Sequence, residues 1–436
     1  MKSIKVGILG LGTVGGGTAN VLQRNAAEIT RRAGRDIEVI IASVRDLTRE
    51  RRCDCSSLHL TTDPAEVVNH PDVDIVVELI GGETQAKDLV LQAIDNGKHV
   101  VTANKALIAL HGNEIFAAAQ EEGVSVLFEA AVAGGISIIK SIREGMAGNR
   151  IDLVAGIING TGNFILTEMR DKGRPFAEVL TEAQALGYAE ADPTFDVEGI
   201  DAAHKLTILA SIAFGIPLQF ENVYTEGISE LSLTDVAYAE ELGYRIKHLG
   251  IAKADASGVE LRVHPTLIPA KRLIANVNGV MNAVMVRGDA VGNTLHYGAG
   301  AGAEPTASAV VADIVDVART ITADPHSRVP HLAFQPDALA NLPIKAQDEF
   351  KCAYYLRFEV NDVAGVMSQL SAQFADQDIS IEAITQKEPQ PGDDFVSVIF
   401  ITQRTLEGRV DRAIKRIEAM QDVRCKTVKI RVEHLN

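Results

Sequence analysis

SIKVGILGLGTVGGG, residues 3–17, is the stretch that decides the fold. Ile4 to Leu9 is an apolar run of strand length that breaks directly into glycines. Gly10, Gly12 and Gly15 then fit G-x-G-x-x-G. In that fingerprint one glycine permits a tight turn, the next lets backbone approach a pyrophosphate, and the last lets helix and strand pack closely. Thr13 and Val14 open the helix that follows, so its first N–H groups and its dipole face the phosphates. A second strand, IEVIIASV, completes the unit. Strand, glycine turn, helix and strand in this order separate a dinucleotide site from a chance cluster of glycines.

Moving outward, the end of the second strand bears on which nicotinamide is bound. A ribose 2′-OH wants an acid there, and a 2′-phosphate wants a cation. The strand ends ASVRDLTRERR, so Arg45 offers a bidentate fork while Arg49, Arg51 and Arg52 add positive field. Asp46 is adjacent, and a plain solvated basic loop is the competing reading. The expectation is NADP, with NAD possible. Val- and Ile-rich runs bounded by glycine continue the alternation of strands and helices to about residue 148. Lys105 follows TAN at one strand end, where it could reach the nicotinamide or the reacting oxygen. Glu129 ends the fifth strand, and its carboxylate with the carbonyls of AAVAGGI could surround a hard cation.

Bulk properties set limits. A chain of 436 residues has room for two or three domains. The net charge of −16 argues against nucleic acid or an anionic membrane as partner. Cys53, Cys55, Cys352 and Cys425 contain no zinc-type C-x-x-C, and scattered thiols suggest a reduced cytoplasm. No apolar run approaches the roughly 18 residues of a membrane span. No targeting segment is expected ahead of the first strand.

From about residue 149 the pattern changes to segregated strands and helices, a mixed α+β layer reaching about residue 320. Its last helix, after the glycine turn Gly298–Gly302, is expected to return to the first domain. NGTGNFIL reads equally as a phosphate cradle or as a turn in which Asn159 caps a helix. The densest chemistry lies in GYAEADPTFDVEGIDAAHK, residues 187–205. Glu190, Asp192, Asp196, Glu198 and Asp201 crowd toward one amine, Lys205. Asp201 and Lys205 are four apart and share a helix face. Downstream the helix is almost wholly apolar, so an acid and an amine at its mouth are costly unless paired or used. His204 points about 100° away from Lys205 and reads as a packed histidine.

Residues 321–348 are proline-rich and read as a linker. Residues 349–432 follow the order βαββαβ of a ferredoxin-like half-sandwich. Asp362, Gly365 and Val366 resemble the turn of ACT domains, small modules that bind amino acids and pair with one another.

GLGTVG, TANK, EAAVAGGI, NGTGNFIL and the GYAEADP…DAAHK block, in this order, resemble homoserine dehydrogenase. With no kinase-type domain ahead of residue 1, the resemblance is to the monofunctional form with a C-terminal ACT domain. It implies an N-terminal Rossmann domain, an α+β substrate and dimerisation domain, and the ACT module. It also implies reversible NAD(P)-dependent hydride transfer between L-homoserine and L-aspartate 4-semialdehyde, under control by an amino acid such as L-threonine. Lys205 would be the general acid/base and Lys105 would sit by the nicotinamide. Asp201 and Glu190 would hold the substrate, with Asp196 in the same acidic group. Gly187 and Gly302 would touch the cofactor. A structural sodium ion would rest on the segment Glu129, Val132, Gly134 and Ile136. Ser137 departs from the proline that many relatives carry there. The resemblance further implies a homodimer or homotetramer in the cytoplasm. Two other readings share the features: an amino-acid sensor that keeps NADP only as a structural ligand, and a dehydrogenase for a different semialdehyde or 2-hydroxy acid.

Overall fold

The computed structural model describes residues 2–387 and 395–435. The first sheet is six-stranded and parallel: β1 (Ile4–Leu9), β2 (Ile37–Ser43), β3 (His59–Thr61), β4 (Ile75–Glu78), β5 (His99–Thr102) and β6 (Val126–Leu127). Their spatial order is β3-β2-β1-β4-β5-β6, the doubly wound arrangement of a Rossmann fold. The order reverses between β1 and β4, and the carboxyl ends of those two strands define the ligand crevice. β1 and β4 are buried along nearly their whole length, as a sheet covered on both faces requires.

Two strand expectations end early. The run holding Lys105 stops at Thr102, because the Asn104 side chain accepts from Leu107 N and caps the helix Lys105–Glu121. The run holding Glu129 stops at Leu127 and tightens into a 3₁₀ turn, Glu129–Ala131. Only in the first does a side chain offer the backbone a local partner, since the Glu129 turn carries no side-chain cap.

The second sheet joins what look in sequence like two domains. Its order is Gly292–Ala299, Met281–Gly288, Ile151–Ile157, Tyr244–Asp255, Gly258–Pro269, Val428–Val432, Lys351–Asn361, Phe395–Thr402 and Ile381–Gln386. The C-terminal four strands with helices Val366–Ala375 and Glu407–Glu418 form the βαββαβ unit. Thr266 and Leu267 pair in parallel with Arg431 and Val432, so the sheet is continuous across the boundary. Buried ion pairs flank this seam. Arg262 meets Glu433 at 2.5 Å, Lys253 meets Glu433 at 2.6 Å, and Arg431 Nε donates to Glu407 at 2.7 Å. On the far side, Arg357 donates to Asp235 at 2.7 Å.

The helix Ala303–Thr320 packs back on the first sheet. Its Ala307, Val310, Ile314 and Val317 share one core with Val6, Ile8, Ile75 and Val77. Burying each Val or Ile there contributes roughly 1.5–3 kcal/mol. A Cβ on Gly17 would come within 2.6 Å of the Ala303 carbonyl, so this packing depends on a bare backbone. The helix Ile200–Phe214 is buried at every residue but Ile200 and Lys205. It lies against Lys105–Glu121 and the strands of the second sheet, and so places its first turn where the two sheets meet.

Candidate active site

The glycine fingerprint folds for steric reasons that can be measured. A Cβ on Gly15 would lie 2.0 Å from the Gly10 carbonyl oxygen, so the helix Thr13–Arg24 can cross β1 only if residue 15 is glycine. Gly10 itself sits at φ +94°, the left-handed region. Gly12 faces open space within 4 Å. Thr13 and Val14 form the first turn with no acidic residue, and their N–H groups point outward from the helix start. A cleft of about 550 Å³ opens here, lined by Gly10, Gly12, Thr13, Ser43, Leu79 and Gly81. Arg45, Arg49, Arg51 and Arg52 stand at the same cleft, against Asp46 and Glu50. The Asp46 carboxylate is turned onto Thr48, accepting its N–H at 2.8 Å and its hydroxyl at 2.7 Å. The site thus fits an anionic dinucleotide: an open glycine cradle, a helix N-terminus and a basic rim.

The second part of the site is an ion cluster. Lys205 Nζ donates to Asp201 Oδ2 at 2.7 Å and to the Ile158 carbonyl at 2.7 Å. Lys105 Nζ, from the first domain, lies 3.0 Å from Asp201 Oδ1. Asn159 Nδ2 donates to Asp196 Oδ1 at 2.7 Å and to Asp201 Oδ2 at 2.9 Å. The Asn159 side-chain carbonyl accepts from Gly162 N at 2.7 Å, so NGTGN is a capped helix start, Gly160–Lys172. The cap reading holds, and the phosphate-cradle alternative loses its Asn159 side chain to that bond.

Charge is distributed unevenly among these groups. Burial pushes the Lys205 ammonium below its ordinary value, and Lys105 nearby adds to that, while Asp201 opposes both. Lys105 is pushed up, chiefly by the charge of Asp201. Burial works against ionised Asp201, but Lys205 and Lys105 overcome it and hold the carboxyl well below the usual range. Asp196 is raised by burial. Buried Lys205 is therefore the amine best able to lose a proton, and the more exposed Lys105 stays charged.

Glu190 is exposed; its backbone carbonyl accepts from Gln184 at 3.1 Å, and its carboxylate helps raise Lys105 through space. Gly187 occupies the turn after the helix Phe176–Ala185 at φ +74°. Gly302 precedes Ala303–Thr320 at φ +135°. Lys105, Gly187 and Gly302 stand outside the lining of the 550 Å³ cleft. Glu129 is buried, and its carboxylate accepts from Ile139 N at 2.9 Å and Lys140 N at 2.8 Å. Burial pushes that carboxyl up to about 6. Val132, Gly134 and Ile136 form the turn between, tied to the second sheet by Gly135 N donating to Ala299 at 2.9 Å. His204 packs 4.3 Å from the Phe220 ring and 5.6 Å from Phe195, and burial holds it neutral at about 4.

Two groups escaped the sequence reading. Glu78, fully buried at the end of β4, accepts from Ile80 N and Gly81 N at 3.0 Å and from the Thr102 hydroxyl at 2.6 Å. It shapes the turn that lines the cofactor cleft. Asn104 extends that network to the Gly82 carbonyl at 2.6 Å, just ahead of Lys105. An acid closing a run of valines was the available signal. Asn159 is the second group, and its spacing signalled only a cap.

Known proteins are similar to this chain along its whole length. Residues 138–315 match the family model described as homoserine dehydrogenase, and residues 10–129 match the model for the NAD binding domain of homoserine dehydrogenase. Residues 354–419 match the ACT domain. A homoserine dehydrogenase of Pseudomonas aeruginosa is 65% identical over 436 residues, covering 100% of both chains. A crystal structure of a homoserine dehydrogenase from Thiobacillus denitrificans is 63% identical with a TM-score of 0.95, covering 100% of this chain and 99% of that one. A hyperthermophilic archaeal homoserine dehydrogenase in complex with NADPH superposes with a TM-score of 0.61 at 25% identity, over 72% of this chain and 97% of that one.

Proposed function

Since the chain belongs to the homoserine dehydrogenase family, with its NAD-binding, catalytic and ACT domains, we propose that this oxidoreductase interconverts L-homoserine and L-aspartate 4-semialdehyde with NADP(H). The observation that carries the reading is the Lys105–Asp201–Lys205 cluster, built from both domains at the junction of the two sheets. The bound nicotinamide supplies the hydride acceptor or donor. The chain's own residues must then move one proton at the alcohol oxygen. Lys205 Nζ does this: its lowered basicity lets it accept a proton in oxidation, and in its charged form it donates to the developing alkoxide in reduction. Ile158 and Asp201 fix its position. Lys105 stays charged and stabilises negative charge on that oxygen. Asp196, Asp201 and Glu190 form the acidic wall that receives the substrate ammonium. Gly187 and Gly302 complete the cofactor site beyond the phosphate cleft.

Arg45 supports the choice of NADP, because a guanidinium at the tip of β2 suits a 2′-phosphate. The ACT module supports control by an amino acid, L-threonine in our reading, at the turn Asp362–Gly365. Exposed Ile384 on the terminal strand Ile381–Gln386 supports a dimer or tetramer. No helix among the described residues is long and apolar enough to cross a membrane. Membership of the family supports a cytoplasmic place in threonine and methionine biosynthesis. Among the described residues no three His, Cys, Asp or Glu side chains converge as a metal cluster. A sodium ion at Glu129, Val132, Gly134 and Ile136 would therefore rest mainly on main-chain oxygens, beside a buried carboxyl whose charge it would offset. The direct test of the reading is homoserine oxidation followed by reduced-nicotinamide absorbance, with NADP and NAD compared. Reduction of neither cofactor would overturn it.

A further inference from the structure

We propose that Asn159 is a positioning residue of the site, a neutral bridge that holds Asp196 and Asp201 side by side and keeps Asp201 turned toward Lys205. The proposal rests on the reading of Lys205 as the proton-transfer group. Asn159 is 6% exposed and every polar atom of its side chain is committed. One amide hydrogen goes to Asp196 Oδ1 at 2.7 Å and the other to Asp201 Oδ2 at 2.9 Å. Its carbonyl oxygen accepts from Gly162 N at 2.7 Å. The opposite orientation of the amide would set that oxygen against two carboxylates and the NH₂ group against an N–H, so chemistry permits only this one. The preceding residue contributes through Ile158 O, which accepts from Lys205 Nζ. The end of the strand Ile151–Ile157 thus orients both halves of the acid–amine pair.

The bridge has an electrostatic reason. Two carboxylates meet here, and burial together with the charge of Asp201 pushes Asp196 upward while the Asn159 amide opposes that. The charged groups around Asn159 are Asp196 and Asp201, then Lys205, Lys105 and Glu190, with neutral His204 on the same helix as Asp201. A neutral double donor stabilises both anions without adding a charge that would move Lys205. An acid at this position would raise the basicity of every amine in the cluster.

Two variants keep the helix cap, since Asp and Ser both accept from the N–H that Asn159 now serves. Asn159→Asp removes the donors and adds an anion. The acidic limb of kcat for homoserine oxidation should move to higher pH by about one unit or more. Asn159→Ser removes the donors without charge, and kcat should fall about tenfold or more while the Kd for NADP(H) and the melting temperature stay near wild type. A purely structural role would lower the melting temperature of Asn159→Ser while its folded fraction kept wild-type kcat, and that result overturns the proposal. So do wild-type kcat, KM and pH profile in both variants. Lys205→Ala, measured alongside, separates the two readings. If it turns over normally while Asn159→Asp still shifts the limb, the bridge stands and the role of Lys205 falls.

Discussion

Lys105 Nζ lies 3.0 Å from Asp201 Oδ1, and this ion pair ties the helix after β5 of the dinucleotide domain to the buried helix of the second domain. Asp201 is 5% exposed and serves both lysines at once. Removing its charge leaves two ammonium groups facing each other at the mouth of an apolar helix. Asp201→Asn should therefore lower kcat by about 10² or more and raise the homoserine KM. The acidic limb of kcat should also move to lower pH, because Asp201 is what raises both amines. A pH series of kcat and KM on purified variant and wild type checks all three.

If Arg45 selects the cofactor as proposed, the choice should follow the charge at the tip of β2. Arg45→Glu places an anion where the 2′-phosphate would lie, so the Kd for NADPH should rise about tenfold or more, an energy near 1.4 kcal/mol. The Kd for NADH should change much less. Fluorescence titration of both cofactors decides the matter, and equal losses would move the selectivity to Arg49, Arg51 or Arg52.

The seam between the second and third domains should respond to acid. Burial alone pushes the Glu433 carboxyl up, but Arg262 and Lys253 overcome it and hold the group at about 2. The ordinary value in an unfolded chain is about 4.3. A carboxyl depressed on folding stabilises above the unfolded value, and the stability is lost as pH falls from about 4.3 toward about 2. Glu433→Gln leaves buried Arg262 with Glu260 as its remaining carboxylate partner and takes the anion from half-buried Lys253, and it should cost about 3 kcal/mol at neutral pH. Urea unfolding across this pH range should show a shallower acid dependence in the variant.

Legibility in the sequence divides along the same line as locality. The fingerprint could be read because its reasons are local: Gly15 must pass the Gly10 carbonyl, five residues away in the chain. The Asp201–Lys205 pair was legible for the same reason, as two positions one helical turn apart. Lys105 was expected at the end of a strand, and the Asn104 cap placed it instead at the start of a helix. The run holding Glu129 also stopped early, at Leu127, and the Glu129 carboxylate went to the amides of Ile139 and Lys140, ten and eleven residues on. Asn159 showed its cap and hid its bridge, because Asp196 and Asp201 come to it only through tertiary structure. The fusion of two sheets at Thr266 and Arg431 was invisible, as register between distant strands leaves no periodic trace. A proline-rich segment read as a linker does not reveal that the strands on either side of it pair in one sheet.

Regulation should act at a distance from the cluster. Gly365 at φ +97° opens the helix Val366–Ala375, and in the proposed reading the turn before it would receive an amino-acid effector. L-threonine should lower the maximal rate more than it raises the homoserine KM, and Asp362→Ala should raise the inhibition midpoint about tenfold or more. Inhibition that is purely competitive with homoserine, and unchanged in Asp362→Ala, would mean that threonine occupies the substrate site.

The central claim is that Lys205 moves the proton at the substrate oxygen. The sharpest measurement is single-turnover oxidation of homoserine by Lys205→Ala at saturating NADP, with the cofactor Kd determined on the same preparation. The rate of NADPH formation should fall by about 10²–10⁴, with the Kd near wild type, because Lys205 lies outside the phosphate cleft. A single-turnover rate within a few-fold of wild type would contradict the claim and transfer the proton to Lys105 or to solvent.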